Sequence, residues 1–274
     1  MFWTRVASGA VLLVILASMF IIGGNVLLTF LGVISIIGLY EFYRATGLCE
    51  KNGPINQLTI FGYIGAIALY IMMFVTGGNL QYVIFVPVLS FVFIFGIFVL
   101  TFPKYDSTKA TYAFTGVCYV PLMLVFVYLT RQLDGGIYLV WLVFMASWIC
   151  DTFAYFTGML FGKHKLAPVL SPKKSIEGAI GGTLFAGIFG GVYGYFISGY
   201  IADGSKAIIA CAVISAAGAV VSQIGDLAAS AVKRNFEIKD YGHLIPGHGG
   251  ILDRFDSVIF AAPMVYIVAV LFLT

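Results

Sequence analysis

Nine apolar stretches constrain this chain more than any other feature. They lie at about 5–22, 25–43, 57–76, 79–102, 111–130, 137–161, 176–199, 206–229 and 255–274. Roughly 20 apolar residues in a helix cross the ~30 Å hydrocarbon core of a bilayer. Lipid offers no hydrogen-bond partner to a peptide group, so such a stretch spans as a helix. The expectation is an all-α fold: a polytopic integral membrane helix bundle of about nine transmembrane helices. Only 10% of the 274 residues are charged, against about 25% in a soluble domain, and the spans leave no length for a separate soluble domain. Arg5 followed by an apolar run has the look of a secretory signal. A second run begins directly after Gly23-Gly24-Asn25, which favours a retained first helix. The cut between these two runs is the weakest, and a re-entrant hairpin is the alternative there.

The sorting of charge tests the span count. The N-terminus and the loops near 44–56, 103–110, 162–175 and 230–254 hold Arg5, Arg44, Lys51, Lys104, Lys109, Lys163, Lys165, Lys173, Lys174, Lys233, Arg234, Lys239 and Arg254. The opposite set holds Arg131 and Lys206. An excess of Lys and Arg marks cytoplasmic loops, so the N-terminus is expected in the cytoplasm and the C-terminus outside. The polar-rich loops 162–175 and 230–254 then share one face. Residues 1–135 read as a scaffold of spans one to five, and 136–274 as a catalytic region of spans six to nine. No internal repeat is evident, which counts against a transporter built from matched halves. A net charge of +3 is too mild to suggest nucleic acid. Cys49, Cys118, Cys150 and Cys211 fall singly in or beside apolar runs, without metal spacing, and read as apolar packing.

Carboxylates inside spans carry the first chemical signal. Asp151 lies well within its apolar run, where a charge costs about 2.5–3.5 kcal/mol on insertion scales. It is either a helix-to-helix contact, with Thr152 or Tyr155 as partner, or an acid facing a ligand or metal. On the next-to-last span Ser222, Asp226, Ser230 and Lys233 or Arg234 share one helical face, a polar stripe that suits a catalytic wall or a water-filled pore. In Ser171-Pro-Lys-Lys-Ser-Ile-Glu-Gly178, Ser171 before Pro172 reads as a helix N-cap. Lys173 and Lys174 would then sit in a first turn, unfavourable for cations unless an anion such as phosphate is bound. The alternative is plain interfacial anchoring of the span. Gly247, Gly249 and Gly250 suit a backbone that cradles phosphate oxygens. Asp253 and Asp256 fall three apart on one helical face, and with Asp226 they suit Mg2+, which prefers a few carboxylates plus phosphate oxygens and water. His243 and His248 lack zinc spacing and read as hydrogen-bond donors or phosphate neighbours.

Carboxylates for Mg2+, glycines and lysines for phosphates, and a membrane surface together point to phosphoryl or nucleotidyl transfer onto a lipid. The residues alone do not name the nucleotide. The run Ser230-x-x-Lys233-Arg234-x4-Lys239-Asp240-x-Gly242-x-x-Ile245-Pro246-x-His248-Gly249-Gly250-x-x-Asp253-Arg254-x-Asp256 resembles the motif of the CDP-diacylglycerol synthases, or phosphatidate cytidylyltransferases. Residues 171–178, Asp151 and Gly225-Asp226 are similar to that family's second-half pattern as well, whereas the N-terminal half contributes generic hydrophobicity.

The resemblance implies transfer of CMP from CTP to phosphatidic acid, giving CDP-diacylglycerol and pyrophosphate in phospholipid biosynthesis. It implies Mg2+ joined by a second cation such as K+. Asp226 and Asp253, supported by Asp256, would hold the metal; Asp226, Asp253, Lys233 and Arg234 would be catalytic. Ser171, Lys173, Lys174, Ser230, Lys239, His248, Gly249, Gly250, Arg254 and Asp151 would bind or orient substrate. The expected setting is the plasma membrane of a bacterium, with the site at its cytoplasmic face, the bilayer as partner, a homodimer allowed and no nucleic acid. The competing readings are a CTP-dependent polyprenol or phytol kinase, which would release CDP, and a cation-coupled transporter using Asp151 and Asp226 as a relay.

Overall fold

The computed structural model describes residues 2–49, 55–201, 204–247 and 249–273, leaving aside the side chains of residues 2–7. Lys51, His248 and the side chain of Arg5, all named from the sequence, lie outside what is described. Among the described residues nine helices follow the apolar runs: α1 (Phe2–Ile22), α2 (Gly24–Ala45), α3 (Gln57–Thr76), α4 (Phe85–Leu100), α5 (Ser107–Gln132), α6 (Gly136–Phe161), α7 (Ile176–Ile197), α8 (Ala207–Asn235) and α9 (Leu252–Leu273). Eight are long and apolar enough to cross a membrane; α4 reaches that length with the preceding turn from Leu80, and α1 contributes the apolar stretch Ser8–Ile22. The fold is all-α and polytopic. Between α1 and α2 the backbone turns left-handed at two successive residues, with φ 64° at Gly23 and 52° at Gly24. Only glycine adopts that left-handed backbone at little cost, so the Gly-Gly pair punctuates two helices.

The chain divides into two compact units, and neither is continuous in sequence. The first comprises residues 1–128 and 235–254, the second 129–234 and 255–274. This division differs from the sequence reading at 135/136, because the stretch after α8 folds with the N-terminal helices.

In the first unit α3 packs against α2, α4 and α5. Asn56 and Thr59 cap α3 reciprocally, at 3.0 and 3.1 Å, each satisfying an amide that the first helical turn leaves bare. Tyr43 is fully buried and donates from Oη to the Ala113 carbonyl at 2.7 Å. Ser35 and Tyr70 pair at 2.6 Å. Pairing spares these buried hydroxyls the cost of an unmet donor where water is absent.

In the second unit α7 packs chiefly against α6. A Cβ on Gly182 would stand 2.6 Å from the Cys150 carbonyl, and one on Gly190 would stand 2.5 Å from the Cys211 carbonyl of α8. Small residues let membrane helices approach until backbones touch. Cys150 and Cys211 are buried at these crossings, in keeping with a packing role. Two helices carry a wide turn that gains a residue, at Cys118–Leu122 around Pro121 in α5 and at Met145–Ile149 in α6. The second ends two residues before Asp151; such turns recur beside functional groups, because they re-aim the residues that follow.

Two boundaries correct the sequence reading. First, Lys165–Ala167 (β1) and Ser171–Ser175 (β2) form an antiparallel hairpin, pairing Lys165 with Ser175 and Ala167 with Ser171. The α7 N-cap is therefore Ser175, whose hydroxyl accepts from the Gly178 amide at 3.2 Å. Ser171 is no cap, and Lys173 and Lys174 lie on a strand outside the first helical turn. Both serines have capping chemistry; strand pairing decides between them. The first turn of α7 instead carries Glu177, the charge its dipole favours. Second, α8 runs through Ser230, Lys233 and Arg234 to Asn235, beyond the predicted end at 229. Cations in the last turn complement the helix dipole, so helix outlasts hydropathy there.

Candidate active site

A pocket of about 410 Å3 that sets charged side chains in a mainly apolar wall opens in the second unit. Its walls come from α6 (Asp151, Tyr155, Gly158), the hairpin (Leu166, Ser171, Lys173, Lys174, Ser175), α7 (Gly178, Ala179) and α8 (Gln223, Asp226). Lys174 Nζ is paired with Asp226 Oδ2, and both side chains remain about a quarter exposed. A partly exposed pair contributes little to stability. Its weight is in placement: a cation and a carboxylate are held at the mouth of a pocket where either can be taken up by a ligand.

The hairpin that carries Lys174 is locked to α7. Glu177 accepts from the amides of Lys163 (3.1 Å) and His164 (3.2 Å) and meets His164 Nδ1 at 2.6 Å, while the Ile176 amide donates to the His164 carbonyl at 2.9 Å. The strand is thereby pinned at its entry and at its capped end. Lys174, one residue before the Ser175 cap, is aimed by this frame; Lys173 beside it is exposed.

Asp256 on α9 joins the same neighbourhood. A Cβ on Gly225 would lie 2.7 Å from the Asp256 carbonyl oxygen, so α8 and α9 meet backbone to backbone at the level of Asp226. Asp226 and Asp151 are close enough to repel Asp256, and Lys233 to attract it. Asp151, Asp226 and Lys174 thus line one pocket, and Asp256 stands on α9 where that helix meets α8 at Gly225. Of the expected polar stripe on α8, Ser222 is buried and donates to the Ala146 carbonyl at 3.2 Å, a packing contact. Ser230 and Arg234 continue along the helix beyond the pocket lining. Thr152 donates to the Trp148 carbonyl at 2.8 Å, whereas Tyr155 lines the pocket with Asp151.

The donor set suits a hard divalent cation. Every candidate ligand is a carboxylate oxygen, and like charges gathered in one place need a counter-cation. Among the described residues no group of three or more His, Cys, Asp or Glu side chains is drawn together tightly enough to cage a metal unaided. Mg2+ does not require such a cage: one or two carboxylates serve it when phosphates and water complete the shell.

The remaining sequence-predicted residues belong to the first unit. Lys239, Asp240, His243, Ile245, Gly247, Gly249 and Arg254 line a cavity of about 530 Å3 with a largely polar wall. The loop turns back on itself through an Ile245–Gly249 bridge at 2.9 Å, with φ 76° at Gly247 and 85° at Gly249. Asp253 is buried, and its Oδ2 accepts from the amides of Tyr241 (2.8 Å) and Gly250 (3.0 Å). The amides of Ile251 and Leu252 donate to Glu41 Oε1 and Oε2, at 3.0 and 2.8 Å. Phosphate cradling by Gly250 and the two amides after it is therefore corrected: protein carboxylates already hold them. Lys239, His243 and Arg254 are the cationic or donor side chains in the lining of that cavity.

Glu41 and Arg44 are the residues that sequence reasoning missed. Glu41 is 4% exposed and caps the start of α9 from α2. Arg44 Nη2 donates to the Tyr241 carbonyl at 3.0 Å. A Cβ on Gly242 or Gly250 would collide with the Glu41 carboxylate, which is why the loop is glycine at both places. The available signal was the one that flagged Asp151: a carboxylate placed within an apolar run.

A model of the cytidylyltransferase family matches residues 3–272. The phosphatidate cytidylyltransferase of Staphylococcus haemolyticus (strain JCSC1435) is 32% identical over 271 residues, covering 97% of this chain and 98% of that protein. Proteins of the same name from Staphylococcus aureus (strain COL), 32% identical over 269 residues, and Staphylococcus epidermidis (strain ATCC 35984), 33% identical over 269 residues, have the same coverage, 97% and 98%.

Proposed function

The chain belongs to the cytidylyltransferase family, and from this we infer that it moves CMP from CTP to phosphatidate, making CDP-diacylglycerol and pyrophosphate. The observation that carries the chemistry is the meeting of Lys174, Asp226 and Asp151 on one pocket of a membrane-embedded unit, with Asp256 on the helix that touches α8 beside Asp226. An oxygen of the phosphatidate phosphate forms a new bond to the α-phosphorus of CTP. The bond from that phosphorus to the β-phosphate oxygen breaks, and pyrophosphate leaves with the electron pair. The nucleophile is already an anion, so no general base is needed.

The obstacle is repulsion between two polyanions, and the residues of the pocket answer it with fixed charge. Lys174 and Lys173 meet incoming phosphate, with Lys174 passing from Asp226 to the substrate. Lys233 and Arg234, in the last turn of α8, add positive charge where the helix C-terminus is negative. Asp226 and Asp256 are the groups that would hold Mg2+, with Asp151 in support. When bound, that ion supplies charge neutralisation to the phosphates of CTP; a second cation such as K+ is compatible with the surplus of carboxylates. Asp253, fixed by two amides, orders the loop that carries Lys239, His243 and Arg254. We place the pocket at the cytoplasmic face of a bacterial plasma membrane, on the sorting of thirteen of fifteen cations to one set of loops.

The test uses detergent-purified chain with α-32P-CTP, phosphatidate and Mg2+. Label entering lipid together with pyrophosphate release is the expected result, and EDTA should abolish both. Release of CDP with an unlabelled lipid product would point to the kinase reading instead, and inert CTP would overturn the transferase.

A further inference from the structure

A second cavity in the second unit has no part in the chemistry above. It is a groove of about 1060 Å3 between α7 and α8, with Ile180, Leu184 and Ile188 on one wall and Val213, Val220 and Ile224 on the other. Its size is at the upper end of small-molecule pockets, about 300–1,000 Å3. The floor is made by small residues: a Cβ on Gly187 would meet Ala216 at 3.3 Å, and one on Gly191 would meet Ala212 at 3.4 Å. Polar groups in it are Thr183 and Gln223, and they satisfy each other, with Gln223 Nε2 donating to Thr183 Oγ1 at 3.0 Å. The groove is therefore apolar in effect along its length.

Two features identify its occupant. The groove and the Lys174 pocket share Leu166, Ala179 and Gln223, so the apolar channel opens into the place where Lys173, Lys174 and Asp226 stand. From Ile180 to Val192 the groove follows thirteen residues of α7, about 18 Å over twelve steps of about 1.5 Å, close to one leaflet of a ~30 Å hydrocarbon core. A molecule that fits has an anionic phosphate at one end and an apolar tail of about one leaflet's depth.

Resting on the transferase reading, we propose that the α7–α8 groove seats one acyl chain of the phosphatidate substrate and delivers its phosphate to Lys173 and Lys174. The tail gains no hydrophobic free energy by leaving lipid for the groove, because both surroundings are apolar. The groove acts by alignment, holding the phosphate on the pocket side. Blocking it should then harm long-chain substrates that arrive from the bilayer and spare short-chain ones that arrive from water.

Ala216→Phe and Val220→Trp fill the groove away from the Lys174 pocket. The measurement is kcat/KM of the full-length chain in mixed micelles for dioleoyl against dihexanoyl phosphatidate. A loss of about ten-fold or more for the dioleoyl substrate, with the dihexanoyl value within about two-fold, is the expected result. Equal losses on both substrates, or no loss, overturn the proposal. A second arm uses unsubstituted protein and phosphatidate carrying a mid-chain diazirine: adducts should map to α7 and α8 along the groove. Adducts elsewhere overturn the assignment, as does cross-linking between two copies through Ile188→Cys, which would make the groove an interface. If the unsubstituted chain transfers CMP to neither lipid, the transferase reading fails, while the photolabel still reports where the lipid tail lies.

Discussion

Replacing Glu41 by Ala should destabilise the first unit by several kcal/mol, although Glu41 lies outside the pocket and the sequence motif. Its two carboxylate oxygens accept separately from Ile251 and Leu252, at 3.0 and 2.8 Å. Those residues are 7% and 0% exposed, so water does not readily replace the lost acceptor. Each buried amide left without a partner costs about 1–3 kcal/mol, giving roughly 2–6 kcal/mol for the two. The negative charge at the start of α9 adds about 0.3–1 kcal/mol through the helix dipole. At about 2–4 °C per kcal/mol for a unit of this size, the melting temperature should fall by roughly 10 °C. Glu41→Gln keeps one carbonyl acceptor and should lose about half as much. The assay is thermal unfolding of detergent-solubilised protein followed by intrinsic fluorescence, with size-exclusion recovery as a second reading. If Glu41→Ala melts within about 2 °C of the parent, the two hydrogen bonds do not hold the loop, and the account of the α9 start is wrong.

Asp226→Asn and Lys174→Met should each cut CTP-dependent pyrophosphate release at least about a hundred-fold, since each removes a fixed charge from the phosphate site; thermal unfolding within a few degrees of the parent separates this from misfolding. Ser175→Ala should cost about 1 kcal/mol as a lost helix cap, whereas Ser171→Ala should leave the melting temperature unchanged; the reverse order would restore the N-cap read from Ser171-Pro172. Gly190→Leu drives a side chain into the Cys211 carbonyl, which a Cβ alone would approach to 2.5 Å. It should abolish recovery of monodisperse protein, while Gly199→Leu, with open space around it, should not.

The spans were legible because a run of about twenty apolar residues reports its solvent directly, and the helices begin and end within a few residues of those runs. Asp151, Asp226 and Lys174 were legible for the complementary reason: polar groups are costly in an apolar setting and so mark themselves. What escaped was decided by partners distant in sequence. The helix start at Ser175 depends on strand pairing with Lys165, against an equally good local signal at Ser171. Helix through Lys233 and Arg234 depends on the dipole, to which a hydropathy reading is blind. The capping role of Glu41 depends on amides more than two hundred residues away, and the amides of Gly250, Ile251 and Leu252, which looked free for phosphate, are taken by Asp253 and Glu41.

The interleaving of the two units sets a schedule for biogenesis. Residues 235–254 complete the first unit, yet the ribosome reaches them only after most of the second unit has been made. Glu41 and Leu252 are separated by 211 positions, which at about 5–20 residues per second is a wait of roughly 10–40 s. During that interval α2 has already emerged with its carboxylate unmatched, in the last turn of a helix destined for lipid. An insertion machine that released helices singly would strand it. The nascent chain must keep the end of α2 within reach of water or of a translocon wall until α9 begins, so folding of the first unit is post-insertional by construction.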